Sequence, residues 1–173
     1  MNFFKSSTGI ILTIVAVVLV VGTILMFTGS TPPEELPPMG QEYPEAGRAH
    51  IADGTAATNY NSNPPTSGDH YATPAQEDFY DVTLPDERLV HNLEHGQTWI
   101  SYKSSVDQAT KDEIRAIQGR NPRRSVASVR DANPQNICLA SWTRLLCMDT
   151  LDVEVAEQFI DVNMNRAPEP LAR

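Results

Sequence analysis

Three of the four histidines in this chain, His70, His91 and His95, lie close together in the sequence. His91 and His95 are four residues apart in the segment H-N-L-E-H, so a helix there would place both imidazoles on one face, one turn apart. Two imidazoles at that spacing can bind one metal ion. His70 follows the turn-rich segment P-P-T-S-G-D and would approach from a separate loop. We therefore predict a metal site at these three residues, with Met148 or His50 as a further ligand.

The ligand types indicate which metal would bind. In an oxidising compartment, His with Met suits copper better than magnesium or calcium, while His alone suits zinc nearly as well. A copper ion is therefore preferred, and a zinc ion is the alternative. Other interpretations stay open: the histidines could tie loops together without a metal, and Met148 could pack in the core. Glu94 could be a ligand, an acceptor for an imidazole N–H, or a solvated helix residue.

The segment from His91 to His95 also matches H-x-x-E-H, the motif of inverted zinc peptidases. That motif requires a long helix, whereas Gly96 and a strand-like segment follow at once. No glutamate on another helix can be identified from the sequence as the further ligand. A zinc hydrolase is therefore kept only as an alternative, and a non-catalytic role is favoured over an enzyme.

Charge and length limit the classes of function. The 173 residues include 13 Lys and Arg against 22 Asp and Glu, which gives a formal net charge of −9. Binding of nucleic acid is disfavoured, because contacts to phosphate need clustered basic residues. The chain beyond its apolar N-terminal segment is long enough for one domain with its own core.

Residues 9–28 form an uncharged, almost wholly apolar stretch. A helix rises about 1.5 Å per residue, so this stretch is long enough to cross the hydrocarbon layer of a bilayer. A cleaved signal peptide would have a shorter apolar run and a small-x-small cleavage site. Lys5 precedes the stretch and acidic residues follow it, which places residues 1–8 in the cytoplasm. We predict a single-pass anchor in the cell membrane, with the lipid bilayer as its partner.

The remainder of the chain is expected outside the cytoplasm. Residues 29–45 are rich in Pro and Glu and predict an extended linker, with an ordered strap on the domain as the alternative. Residues 46–173 would then form an extracytoplasmic domain that begins with long Pro-rich loops.

Hydrophobic periodicity predicts the elements of that domain. Strands are expected over residues 97–102 and 125–130, and a longer strand, bulged or bent, over 137–148. Helices are expected over residues 105–119 and 152–165. This order indicates an α+β fold with a small, mostly antiparallel sheet and two helices packed on one of its faces.

The two cysteines, Cys138 and Cys147, both lie in the predicted long strand. On an unbroken strand their odd separation would place them on opposite faces, so a disulfide would require a bend between them. A bridge is permitted outside the cytoplasm. The pattern nevertheless favours unpaired, buried thiols.

Several motifs together are similar to those of a bacterial family catalogued as domain of unknown function 3105. The similarity covers residues 46–169, and its longest motif is L-P-D-E-R-L-V-H-N-L-E-H-G. The other matching segments are Pro64–Tyr71, Phe79–Asp81 and Arg166–Glu169. The chain has Asp69 and Asp78 where the family pattern has Pro and Gly, and both departures leave the histidines in place. The resemblance implies a single-pass anchored protein with a Pro-rich linker, and it implies no particular reaction.

These observations favour a membrane-anchored extracytoplasmic domain that binds one transition-metal ion. Its role would be metal handling or that of an accessory part in a membrane redox complex. The rival hypothesis is a metal-free interaction module that docks on a larger membrane protein complex through a helix and the Pro-rich loops.

Overall fold

The computed structural model describes residues 15–16 and 36–170. The predicted anchor at residues 9–28 therefore lies outside the described residues, apart from 15 and 16, which are helical. Within the described ranges no helix is both long enough and apolar enough to cross a membrane.

A six-stranded mixed sheet forms the centre of the fold, and a two-stranded parallel sheet lies apart from it. The strands are β1 (Gln41–Glu42), β2 (His50–Ile51), β3 (His70–Tyr71), β4 (Phe79–Thr83), β5 (Thr98–Tyr102), β6 (Ser125–Val129), β7 (Ile137–Ser141) and β8 (Arg144–Met148). The larger sheet has the strand order β1-β8-β7-β5-β6-β4, and the smaller one pairs β2 with β3.

The pairing of the large sheet confirms the expected α+β class. Strand β6 lies parallel to both β4 and β5, whereas the pairs β5–β7, β7–β8 and β1–β8 are antiparallel. The sheet is thus mostly antiparallel, as predicted, but it has more strands than the sequence indicated. Strand β4 lies at an edge and exposes Val82, so it lacks the apolar alternation that identifies a buried strand.

Three helices pack on the sheet: α1 (Asp86–Glu94), α2 (Gln108–Arg120) and α3 (Val153–Asn163). Helices α2 and α3 share one apolar cluster with alternate strand residues such as Ile100 and Leu139. Helix α1 belongs to a second cluster, with Trp99 and Cys138. Successive residues of a strand point to opposite faces, so α1 covers the face of the sheet that α2 and α3 leave free. The prediction of two helices on one face was correct for α2 and α3, while the short helical turn expected at His91–His95 is the end of the longer helix α1 on the other face.

The predicted long strand at 137–148 is in fact a hairpin. Strands β7 and β8 pair antiparallel around a turn at Trp142 and Thr143, and Thr143 has a positive φ of 61°. The register sets Cys138 directly opposite Cys147, and the two form a disulfide. The expectation of free thiols was therefore wrong, because the turn supplies the bend that an unbroken strand lacks.

The last part of the predicted linker is an ordered strap. Residues Gln41–Glu42 pair with β8 as an edge strand, and the Tyr43 N–H donates to the Thr143 carbonyl at 2.9 Å. The Met39 N–H donates to the Asn163 side chain of α3 at 3.1 Å. Of the two interpretations of this stretch, the structure favours the strap from residue 37 onwards.

Candidate metal centre

Helix α1 fixes the position of the central histidine. Leu89, Val90 and Leu93 are fully buried against the sheet, and this anchors the helix so that His91 and Glu94 lie on an adjoining, also buried side. Gly96 ends the helix with a φ of +82°, where an added Cβ would come within 2.7 Å of the Asn165 backbone. Only glycine fits this position, because the C-terminal strap, residues 165–169, crosses the helix end there.

The small parallel sheet supplies two further imidazoles. His50 on β2 and His70 on β3 are direct register partners. The His70 N–H donates to the Ala49 carbonyl at 3.0 Å, and the Gly68 N–H donates to the Gly47 carbonyl at 2.9 Å. Backbone pairing thus joins two loops that are distant in sequence and sets their histidines side by side.

His50, His70 and His91 form a triad whose potential ligand atoms all lie within 4.8 Å of one another. The ring centroids are 5.0–5.1 Å apart in all three pairs. His70 is fully buried and His91 is 4% exposed, whereas the His50 side chain is 51% exposed. The triad therefore has a dry inner side and a single ring open to solvent.

Backbone carbonyls fix the orientation of three histidine rings through their Nδ1 atoms. The His70 Nδ1–H donates to the Gly68 carbonyl at 2.8 Å, and the His91 Nδ1–H donates to the Tyr71 carbonyl at 2.6 Å. The Nδ1 atom of His95 lies 3.2 Å from the Glu169 carbonyl. Such bonds leave Nε2 as the free ligand atom, which is how proteins orient imidazoles toward metals.

Two further contacts require protons in the metal-free protein. His70 Nε2 lies 3.0 Å from a Glu94 carboxylate oxygen, and Glu94 is only 2% exposed. The Nδ1–H of His70 donates to the Gly68 carbonyl, so one further proton must lie between His70 Nε2 and the Glu94 oxygen. The alternative of Glu94 as a solvated residue is excluded by its burial.

His91 and His95 bring two Nε2 atoms to 2.9 Å from each other. Both Nδ1 atoms are directed at carbonyls, so one proton must lie between the two Nε2 atoms. Burial lowers the pKa of His91, the Tyr71 carbonyl opposes that shift, and the neighbouring imidazoles lower the pKa further. The lowered pKa of His91 favours the neutral form of this ring, which keeps its Nε2 lone pair available to a metal.

The remaining predicted ligands occupy different positions. His95 contacts His91 but is not part of the triad. Of the two histidines expected to bind the metal from one helical turn, only His91 therefore belongs to the triad. Met148 packs against the apolar cluster of α2 and α3, and its sulfur accepts the Asp152 N–H at 3.4 Å. It lies on the face of the sheet opposite α1, where it cannot reach the histidines. His50, which the sequence offered only as a further ligand, is a full member of the triad.

The C-terminal strap is a part of the site that the sequence analysis did not identify. The Asn165 N–H donates to the Gly96 carbonyl and the Glu169 N–H to the Glu94 carbonyl, each at 3.0 Å. The strap therefore supports the helix end that bears Glu94 and His95. Its only sequence signal was the terminal R-A-P-E segment, whose position in the fold the sequence does not reveal.

Comparison with known families gives one match. The family described as "Protein of unknown function (DUF3105)" matches residues 50–173, a range that includes all four histidines. No curated protein and no solved structure matches this chain.

Proposed function

The chain belongs to the DUF3105 family, and for this member we propose that the extracytoplasmic domain binds one divalent transition-metal ion for metal handling. The Nε2 atoms of His50, His70 and His91 would bind the ion. Glu94 is the nearest carboxylate, with an oxygen 3.0 Å from His70 Nε2 and 3.9 Å from His50 Nε2. It would supply an oxygen ligand once the ion displaces the proton between it and His70.

The orientation of the imidazoles is the observation that carries this proposal. If the histidines only tied loops together, their second ring nitrogens would not need to point toward a common position. Here the Nδ1 atoms of His70 and His91 are held by backbone carbonyls, and the ligand atoms of the triad converge within 4.8 Å. Three imidazoles form a frequent protein ligand set for zinc and copper, and backbone carbonyls fix the orientation of two of them here.

The ligand set also bears on the identity of the metal. Copper was preferred over zinc on the basis of a sulfur ligand, and Met148 lies on the other face of the sheet. The remaining nitrogen and oxygen donors suit Zn²⁺ and Cu²⁺ alike, and the general affinity order alone places Cu²⁺ first. The proposal therefore covers both ions.

Handling of the metal, in the sense of uptake and release, fits the exposure of the triad. His50 is half-exposed and lies on a two-residue strand, so it can leave and rejoin an ion without disturbing the core. His70 and His91 are buried and would retain the ion from the inner side. A closed structural site would instead hold all of its ligands equally firmly.

Membrane anchoring and location are part of the same proposal. The apolar stretch at 9–28 would hold the domain at the outer side of the cell membrane, and the lipid bilayer and a larger membrane protein complex would be its partners. The disulfide between Cys138 and Cys147 supports an oxidising location, because such bridges are rare in the cytosol.

Metal titration of the full-length chain in detergent tests the proposal. The wild type should bind one equivalent of Zn²⁺ or Cu²⁺ at neutral pH. His50→Ala should weaken binding at least tenfold, and the exposure of His50 makes this variant safe for folding. Met148→Leu is the matched control, because it changes a candidate ligand that lies far from the triad. If the wild type binds no stoichiometric metal, the histidines are structural and the metal-free interaction module becomes the better interpretation.

A further inference from the structure

A second candidate site lies between the β7–β8 turn and the C-terminal end of α3, away from the histidines. It is a cavity of about 210 Å³ lined by residues 141–144 and by Pro38, Asn163 and Arg166. Ser141 and Arg144 have the same strand parity as Leu139 and Leu146, so they face the side of the sheet that α3 covers. The volume suits a small molecule and not a macromolecule.

Ser141 provides the first indication of a ligand. Its residue is 2% exposed, and its hydroxyl has no hydrogen-bond partner among the described residues. Buried hydroxyl groups are almost always paired, so an unpaired one at a cavity wall indicates that a ligand atom can complete it. The adjacent amide of Asn163 is not available for this, since both of its ends bond the Met39 backbone.

The charges around the cavity identify the kind of ligand. Arg144 and Arg166 line it, and none of the lining residues is acidic. Arg144 already holds the exposed carboxylate of Glu42 at 3.0 Å, which demonstrates that its guanidinium is placed to bind an oxyanion.

We propose that this cavity binds a small oxyanion, either a carboxylate or a phosphate. The Ser141 hydroxyl would donate one hydrogen bond to it, and the guanidinium group of Arg144 would provide the charge. Guanidinium groups match both carboxylate and phosphate oxygens in geometry and charge. Glu42 would share Arg144 with the ligand or move into solvent, where it is already 69% exposed.

Titration of the full-length, metal-free chain in detergent with acetate and, separately, with inorganic phosphate tests this proposal. Amide NMR spectra should show saturable shifts at Ser141, Thr143 and Arg144, while sodium chloride at equal ionic strength should give none. Saturation by acetate alone identifies a carboxylate site, and saturation by phosphate alone identifies a phosphate site. Shifts that only follow ionic strength overturn the proposal. Any chelator used to remove metal must be dialysed away first, because it is itself a carboxylate.

Three variants distinguish a built site from general charge attraction. Arg144→Gln should lower the affinity for the oxyanion about tenfold, the usual effect of losing one charge-assisted hydrogen bond. Ser141→Ala should lower the affinity for the oxyanion about threefold to tenfold. It should not lower thermal stability, because the hydroxyl has no hydrogen-bond partner to lose. Arg120→Gln is the matched control, since it removes an equal charge from an exposed ion pair with Glu157. Equal affinity in all three variants would overturn the proposal even if an anion binds elsewhere.

Discussion

Release of protons on metal binding is the most direct consequence of the hydrogen bonds around the triad. In the metal-free protein, the His70 Nδ1–H donates to the Gly68 carbonyl, and an extra proton lies between His70 Nε2 and a Glu94 oxygen. A second extra proton lies between His91 and His95. An ion on the triad needs the Nε2 lone pairs of His70 and His91, so it displaces the first proton and repels the second.

The expected magnitude is about two protons per metal ion near neutral pH. Each displaced proton changes the binding free energy by about 1.36 kcal/mol per pH unit. Affinity should therefore fall by about 2.7 kcal/mol, or roughly a hundredfold, for each unit of acidification. The lowered pKa of His91 leaves this count unchanged, because that ring already presents a lone pair at neutral pH.

Calorimetric titration with Zn²⁺ between about pH 6.5 and 7.5, in buffers of different ionisation enthalpy, measures the proton count directly. His95→Ala is the informative variant, since it removes the ring that shares the second proton with His91 without removing a member of the triad. This variant should still bind one ion, with the count reduced from about two to about one. A wild-type count near zero would refute the inferred protonation states. An unchanged count in His95→Ala would show that His91 and His95 share no proton, and loss of binding there would make His95 a ligand.

Other features give further predictions. The unreduced chain should lack the mass of two hydrogen atoms, and reduction of the Cys138–Cys147 bridge should lower the free energy of unfolding by about 2–3 kcal/mol in urea titrations. A fragment starting at Ala46 should melt below one starting at Pro37, because it lacks β1 and the buried contact of Met39. His91 should titrate below its ordinary pKa of 6.5 by NMR. The unfolded chain binds that proton more readily, so His91 should reduce stability as the pH falls below 6.5.

The sequence predicted the elements with the strongest local signals. The strand at Thr98–Tyr102 combines aromatic and β-branched residues, and helices α2 and α3 have regular apolar spacing, so periodicity alone identified them. The hairpin was missed because its turn, Trp142 and Thr143, has neither Gly, Asn nor Asp, and the apolar pattern continues through it. Local rules cannot detect a turn whose positive φ falls on threonine.

The site was predicted less completely than the fold. The spacing of His91 and His95 identified them as candidates. The positions of His50 and His70, by contrast, depend on the pairing of β2 with β3, which is a tertiary contact that local sequence does not specify. The same holds for Met148, whose distance from the histidines is decided by the face of the sheet it occupies. The role of Glu94 could be resolved only through its burial against His70.

The position of the two cysteines also has a consequence for biosynthesis. They are the only cysteines of the chain, so a single intramolecular pairing exists and no shuffling among alternatives can occur. Strands β7 and β8 are adjacent in the chain, and Cys138 and Cys147 meet as soon as the hairpin forms. Oxidation can therefore precede docking of β1, which must cross a long stretch of chain to reach β8. A newly made chain would close this covalent loop early in an oxidising compartment, without an isomerase, and so prepare the edge of the sheet with which β1 later pairs.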